Sequence, residues 1–393
     1  VYAVVDWRKP SQAALVSLIA IFIPVPLISL LLGSVARSRD GGAAPAEPCY
    51  PYGANHNGTV PLPPVSSHCA SVSEVSALLK ADANLSSPCA PVRAVGSAKS
   101  NTQCLEAPGQ LLRLGGLTGI QIAADGKTAT VGAGVVLREL SHALAARGLQ
   151  LYSAIELGNL TAGAMACAHT KNRHLPGEFG ILSSYVVGVT LVDASGRVHA
   201  ISEESHTIDG RAADPATWGP SKRMLAHVRT SHGLLGVICE VTVRVKPVGG
   251  RTITHVRYGS AKEFVHECAS KHSASGGSIF AYFSPYSERF LVETTRPTAK
   301  SPKGSWFWAV REHFITVDFP LLFRLGDALP TFLASALYAL LNRASEIALT
   351  SLHEHASAPP HAHIGWHDHK SLTKFQWTFL AFPLSRAEAV FRE

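Results

Sequence analysis

Two short loops carry the residue types that could do chemistry. The first, Gly96-Ser97-Ala98-Lys99-Ser100, follows the apolar run ending at Val95. The second, NLTAGAMACAHT over 159–170, is built from Gly, Ala and Thr. Residues without bulky side chains let bare backbone N–H groups approach a large anionic ligand. A third concentration is of histidine: His353, His355, His361, His363, His367 and His369. On a strand, His367 and His369 would point to one side and could hold Zn or Cu. That segment has no cysteine, and Asp368 would face the other way, so a histidine-rich loop without metal is the expectation.

The elements needed to position the loops can be read around them. SVSEVSALLKADA from Ser71 has apolar residues at helical spacing behind a Ser cap with Glu three residues on. TATVGAGVVLRELSHALAARGLQL reads as a strand, a glycine turn and an amphipathic helix ending near Arg147-Gly148. After HVRTSHGLLG comes VICEVTVRV, an alternating strand closed by Pro247. Past residue 249 the chain turns to aromatic-rich strands and a long apolar helical region over 314–343.

This order of segments resembles the FAD domain of the vanillyl-alcohol-oxidase (PCMH-type) family and, within it, the sugar-1,4-lactone oxidases. The resemblance implies an α+β fold: a two-lobed FAD-binding domain over 63–248, with lobes 63–125 and 126–248. An α+β substrate or cap domain, incomplete at its C-terminus, would follow over 249–393. It implies FAD held by Val95, Gly96, Ser97, Ala98, Lys99 and Ser100 at the pyrophosphate. Thr161, Gly163, Ala164, Ala168, His169 and Thr170 would form the second loop, and Ile181 and Ile238 would make main-chain contacts. Many members join a loop histidine to the flavin; Lys99 stands at that position, so non-covalent FAD is expected. Lys171 stands where glycine is usual. Ser305-Trp306-Phe307-Trp308 is similar to a stretch in the lactone oxidases. Where the family often shows Glu-x-Arg at the substrate, this chain has His367 and His369, the candidate catalytic pair. Arg is a fixed cation and His a conditional one, so the substitution bears on which substrate is taken. The implied partners are a small sugar lactone or related alcohol, and O2 or another electron acceptor.

Composition bounds the rest. The 393 residues suffice for two or three domains, and 46% hydrophobic against 16% charged content excludes a disordered chain. The +7 net charge is scattered and accompanied by no nucleic-acid motif, so no nucleic-acid partner is expected. Residues 13–33 form an uncharged apolar run, preceded by Arg8 and Lys9 and followed by Ser34-Val35-Ala36. They read as a signal anchor or a cleaved signal peptide within 1–36, followed by a linker over 37–62. Membrane association and a secretory or lumenal location follow. The sequons at Asn57 and Asn84 agree with that, whereas the one at Asn159 falls inside the ligand loop and is expected to stay unmodified. Cys49, Cys69 and Cys89 are open to two readings, a disulfide or isolated buried thiols. The 314–343 region is likewise open to two, a buried pair of cap helices or attachment to a membrane surface.

Overall fold

The computed structural model describes residues 65–84, 92–100, 111–153, 158–170, 177–260, 262–267, 278–284, 289–298, 328–350 and 355–356. They fall into two units that divide between Val248 and Gly249.

The first unit begins with β1 (Val65–His68), α1 (Val72–Asn84), β2 (Arg93–Val95) and β3 (Leu111–Arg113), a parallel sheet in the order β1-β3-β2. The sequence signal for α1 is met in detail: Glu74 N–H donates to Ser71 Oγ, and Glu74 Oε2 accepts from Ala70 N–H. Those two bonds satisfy helix-end donors that nothing else in the helix can reach. Val75 and Leu79, four apart, bury the inner face of α1.

Next come β4 (Ile120–Ile122), β5 (Thr128–Gly132), α2 (Leu137–Ala145), β6 (Leu149–Leu151) and α3 (Ala162–Cys167). After them the chain runs through β7 (Val186–Val192), β8 (Val198–Ser202), β9 (His206–Ile208), β10 (Arg211–Ala212), α4 (Pro215–Trp218), α5 (Ser221–Arg229) and β11 (Val237–Pro247). These strands make an eight-stranded sheet, β10-β9-β8-β7-β11-β5-β4, with β6 also paired to β11. β4 is built into this larger sheet by its pairing with β5, although it precedes residue 126.

β11 is the spine of the sheet. Its VICEVTVRV core alternates, burying Val241, Val243 and Val245 and exposing Glu240 and Arg244. It pairs with β7 along one edge and with β5 and then β6 along the other. Leu137, Leu140 and Leu144 of α2 lie on one helical face and are all fully buried. Burying each such leucine stabilises the fold by about 2 kcal/mol. Cys69 is a buried free thiol in the same core, which decides between the two cysteine readings for that residue.

The second unit holds β12 (Gly250–Tyr258), β13 (Ser278–Ser284), β14 (Arg289–Thr298), α6 (Thr331–Thr350) and β15 (His355–Ala356). Its antiparallel sheet has the order β13-β14-β12-β15, with Phe264 stacked on Phe290 at 4.6 Å. α6 exposes Phe332, Leu333 and Leu340 and buries Leu341, so its N-terminal half is not the buried helix that one reading of 314–343 anticipated. Among the described residues no helix is long and apolar enough to cross a membrane. The apolar run at 13–33 lies outside the described residues.

Candidate FAD site

The first ligand loop leaves the end of a strand and meets the second. Loop 96–100 leaves β2, where Val95 is buried and Ala98 adopts φ +50°. Ser97 Oγ donates to the Asn159 carbonyl, which ties the first loop to the start of the second. A Cβ on Gly96 would lie 2.4 Å from Thr161 Oγ1, so only glycine allows this approach. Lys99 and Ser100 lie half-buried beyond it.

The second loop is fastened to the large sheet by backbone bonds. Ala162 N–H donates to Val135 O at 2.8 Å, and Gly163 N–H to Ala133 O at 3.0 Å. Ala133 N–H in turn donates to the carbonyl of Cys239, next to Ile238. A Cβ on Gly163 would sit 3.1 Å from that of Ala133, a tight approach that glycine avoids. At the far end, Leu182 N–H donates to Thr170 O at 3.0 Å, bringing Ile181 to the loop. His232 N–H donates to Cys167 O at 3.1 Å, and the His169 and His232 rings meet edge to face at 5.1 Å.

The structure therefore brings together the predicted residues on 95–100 and 161–170 with Ile181 and Ile238. Ala164 and Ala168 are half-buried, and Ala168 N–H donates to Ala164 O as the cap of α3. Ile238 is 5% exposed, so its side chain is core, and only its backbone could face a ligand. Asn159 is 6% exposed, which denies its sequon a glycan in the folded chain. Lys171, His367 and His369 lie outside the described residues. Among the described residues no group of three or more His, Cys, Asp or Glu could hold a metal ion.

Several residues at this end carried no sequence signal strong enough to single out. Phe179 (65% exposed), beside the predicted Ile181, belongs to the segment joined to Thr170 through Leu182, and Leu234 (78%) and Leu235 follow His232, which is joined to Cys167. Leu234 and Leu235 are bracketed by Gly233 and Gly236, which could have marked them as a presented pair. Under Phe179 lies an ordered group. Tyr152 and Tyr185 stack at 4.4 Å, Lys246 Nζ stands 4.9 Å over the Tyr152 ring, and Lys246 pairs with Glu178. Burial pushes the Tyr185 phenol up; the Phe179 N–H it accepts opposes that, and the Glu178 charge adds to it.

These features fit FAD. Two side-chain-poor loops converge, and Ser153 Oγ and Thr170 Oγ1 are buried without a hydrogen-bond partner on the segments that frame the second loop. A large ligand with many polar atoms can satisfy such groups, and leaving them bare costs free energy. Exposed apolar side chains beside them suit a planar ring system.

Comparison with known proteins agrees. Residues 63–202 match the family model described as FAD binding domain. The L-gulonolactone oxidases of Bos taurus and Mus musculus are each 28% identical over 233 residues, covering 58% of this chain and 49% of theirs. A long-chain alcohol oxidase of an uncultured marine euryarchaeote is 35% identical over 159 residues, covering 39% of this chain and 29% of its own. The chain spans about half the length of the gulonolactone oxidases it matches. Cholesterol oxidase from B. sterolicum shares the fold, with a TM-score of 0.61 at 15% identity over 85% of this chain and 65% of that one. The converging loops and the family match together identify an FAD-binding domain of the PCMH type over residues 63–202.

Proposed function

We propose that the chain is an FAD-dependent oxidoreductase that oxidises the CH–OH group of a small alcohol, with a sugar-derived 1,4-lactone as the leading substrate and O2 as acceptor. The observation that carries the reading is the junction of the two loops through Ser97 and Asn159. When bound, FAD supplies the acceptor for the hydride leaving the alcohol carbon. The residues of this chain do the rest. Gly96–Ser100 receive the pyrophosphate through backbone groups, the second loop lies against the bound molecule, and Thr170 and Ser153 offer hydroxyls to it. His169, exposed and edge-on to His232, is assigned a contact with the flavin or the substrate, where an imidazole could take the hydroxyl proton. His367 and His369 are assigned to the substrate end in place of Glu-x-Arg, where they bear on which alcohol is taken. The cofactor is held without a covalent bond, since a lysine at 99 cannot form the histidyl linkage. Membrane association and passage through the secretory pathway rest on the 13–33 segment.

A second reading is favoured by one observation. The side chains flanking loop 167–170 are apolar and exposed, namely Phe179, Ile181, Leu234 and Leu235. A polyol lactone gains little from such a rim, whereas a long apolar alcohol buries it. The similarity to a long-chain alcohol oxidase points the same way.

One experiment tests both readings. Anaerobic visible spectra of the FAD-loaded protein are recorded with gulono-, galactono- and arabinono-lactone, and with a series of long-chain alcohols. Bleaching by a lactone supports the leading reading, and bleaching by the alcohols alone the second. Bleaching by neither class overturns both. Acid precipitation of the loaded protein is expected to release all flavin into the supernatant; flavin retained in the pellet would refute the non-covalent assignment.

A further inference from the structure

The segment 177–182 is pinned at three points. Glu178 is paired with Lys246 of β11. Phe179 N–H donates to the Tyr185 hydroxyl oxygen at 2.6 Å. Leu182 N–H donates to Thr170 O. Between these points stand Gly180 and Ile181, next to the Leu182 N–H that bonds the end of the second loop. Phe179 and Ile181 are exposed although large and apolar. Tyr185, 7% exposed, is itself immobilised by its stack on Tyr152 at an interplanar angle of 11°. Holding a backbone by a tyrosine that is buried, stacked and supported by a lysine over its neighbour is more than a loop needs merely to fold. Phe179 is exposed, and water could serve its N–H as well. The arrangement fixes where the Phe179–Ile181 backbone lies relative to Thr170.

We propose that Tyr185 is a positioning residue of the flavin site: its hydroxyl holds the Phe179–Ile181 segment as a preformed wall against which the isoalloxazine ring seats. Preforming a wall removes the ordering cost from the binding step, so affinity reports directly on the clamp. The Glu178–Lys246 pair holds the same segment one residue earlier, with Lys246 Nζ over the Tyr152 ring. This inference rests on the flavin reading above, and its test separates the two.

The full chain, freed of flavin, is titrated with FAD as wild type, Tyr185→Phe and Glu178→Gln, recording affinity, the visible spectrum of the bound flavin and its reduction potential. Thermal unfolding of each apo-protein is followed alongside. Tyr185→Phe keeps the aromatic stack and removes only the hydroxyl. The expected result is FAD affinity about tenfold weaker, with a shifted spectrum and potential, at an apo unfolding temperature near that of wild type. Glu178→Gln is expected to move spectrum and potential in the same direction. Wild type that takes up no FAD sinks the flavin reading and the clamp with it. Wild-type FAD binding with a Tyr185→Phe variant of unchanged affinity, spectrum and potential overturns the clamp alone. A variant that loses thermal stability while its bound flavin keeps the wild-type spectrum and potential also overturns it, because a purely structural tyrosine would behave so.

Discussion

Two buried polar groups occupy different parts of the first unit, and they differ in how completely they are satisfied. At the loop end, Ser153 and Thr170 hold hydroxyl oxygens without partners, and four large apolar side chains lie open. At the β7–β8 hairpin, Asp193 Oδ1 accepts from Ser195 and from Arg197 N–H, and Oδ2 accepts from Arg197 Nε and lies 3.0 Å from His199 Nε2. His199 Nδ1 then meets His206 Nε2 at 3.0 Å, and Trp218 packs edge-on against both rings. Burial works to raise the Asp193 carboxyl, but the bonds from Ser195, His199 and Arg197 outweigh it and hold it well below the usual carboxylate range. The hairpin group answers its charge at Asp193 and leaves His206 Nδ1 without a partner; the loop group leaves two hydroxyls bare beside exposed apolar side chains. A cluster of titratable residues is therefore not by itself a site; the end where bare hydroxyls stand beside exposed apolar side chains is the one that suits a ligand.

The largest test of this contrast removes a glycine from the loop end. Gly96→Val places a side chain against Thr161 and is expected to weaken FAD binding by about a hundredfold or more, measured by flavin titration. Unaltered affinity would mean that the loop junction does not form the site. The counterpart at the hairpin is Asp193→Ala, which strips a buried imidazole of its acceptor. It is expected to cost about 3 kcal/mol in denaturant unfolding while leaving FAD affinity unchanged. A variant of normal stability and poor FAD affinity would reverse the assignment.

A smaller effect should appear on acidification. Burial, then the nearby His199, lowers the affinity of His206 for protons. A base with a lowered folded value contributes stability fully present above its unfolded value, about 6.5. That stability is lost as pH falls through the lowered folded value. The depressed Asp193 adds loss at still lower pH, as the solution passes below the unfolded carboxylate value. His206→Gln is expected to flatten the first part of this decline, and an unchanged profile would remove His206 from it. The smallest effect concerns the thiols. Burial pushes Cys239 up to about 12, with Cys69 and Glu240 adding to the rise. Cys167 is half-buried at the loop. Iodoacetamide at neutral pH is expected to label Cys167 before Cys239, and bound FAD should slow the labelling of Cys167.

The sequence was informative where one local rule acts alone. The Ser71–Glu74 cap, the i, i+3, i+7 leucines of α2 and the alternation of β11 each depend on near neighbours, and each forms as read. The loop residues were read by a related rule: a backbone that approaches a ligand closely favours small side chains, and that preference shows in composition. Tyr152, Tyr185 and Lys246 gave no such signal, since a tyrosine in an apolar strand reads as core packing. Their joint geometry exists only once β6, the 182–185 turn and the end of β11 are folded together. The same holds for Asp193, His199 and His206, which in the sequence are merely polar residues of a hairpin. Sequence thus determined the order of elements and the places where backbone must be bare, because those follow from period and side-chain size. Tertiary structure alone decided which polar groups are satisfied and which are left open, because hydrogen-bond partners far apart in the chain are chosen by packing.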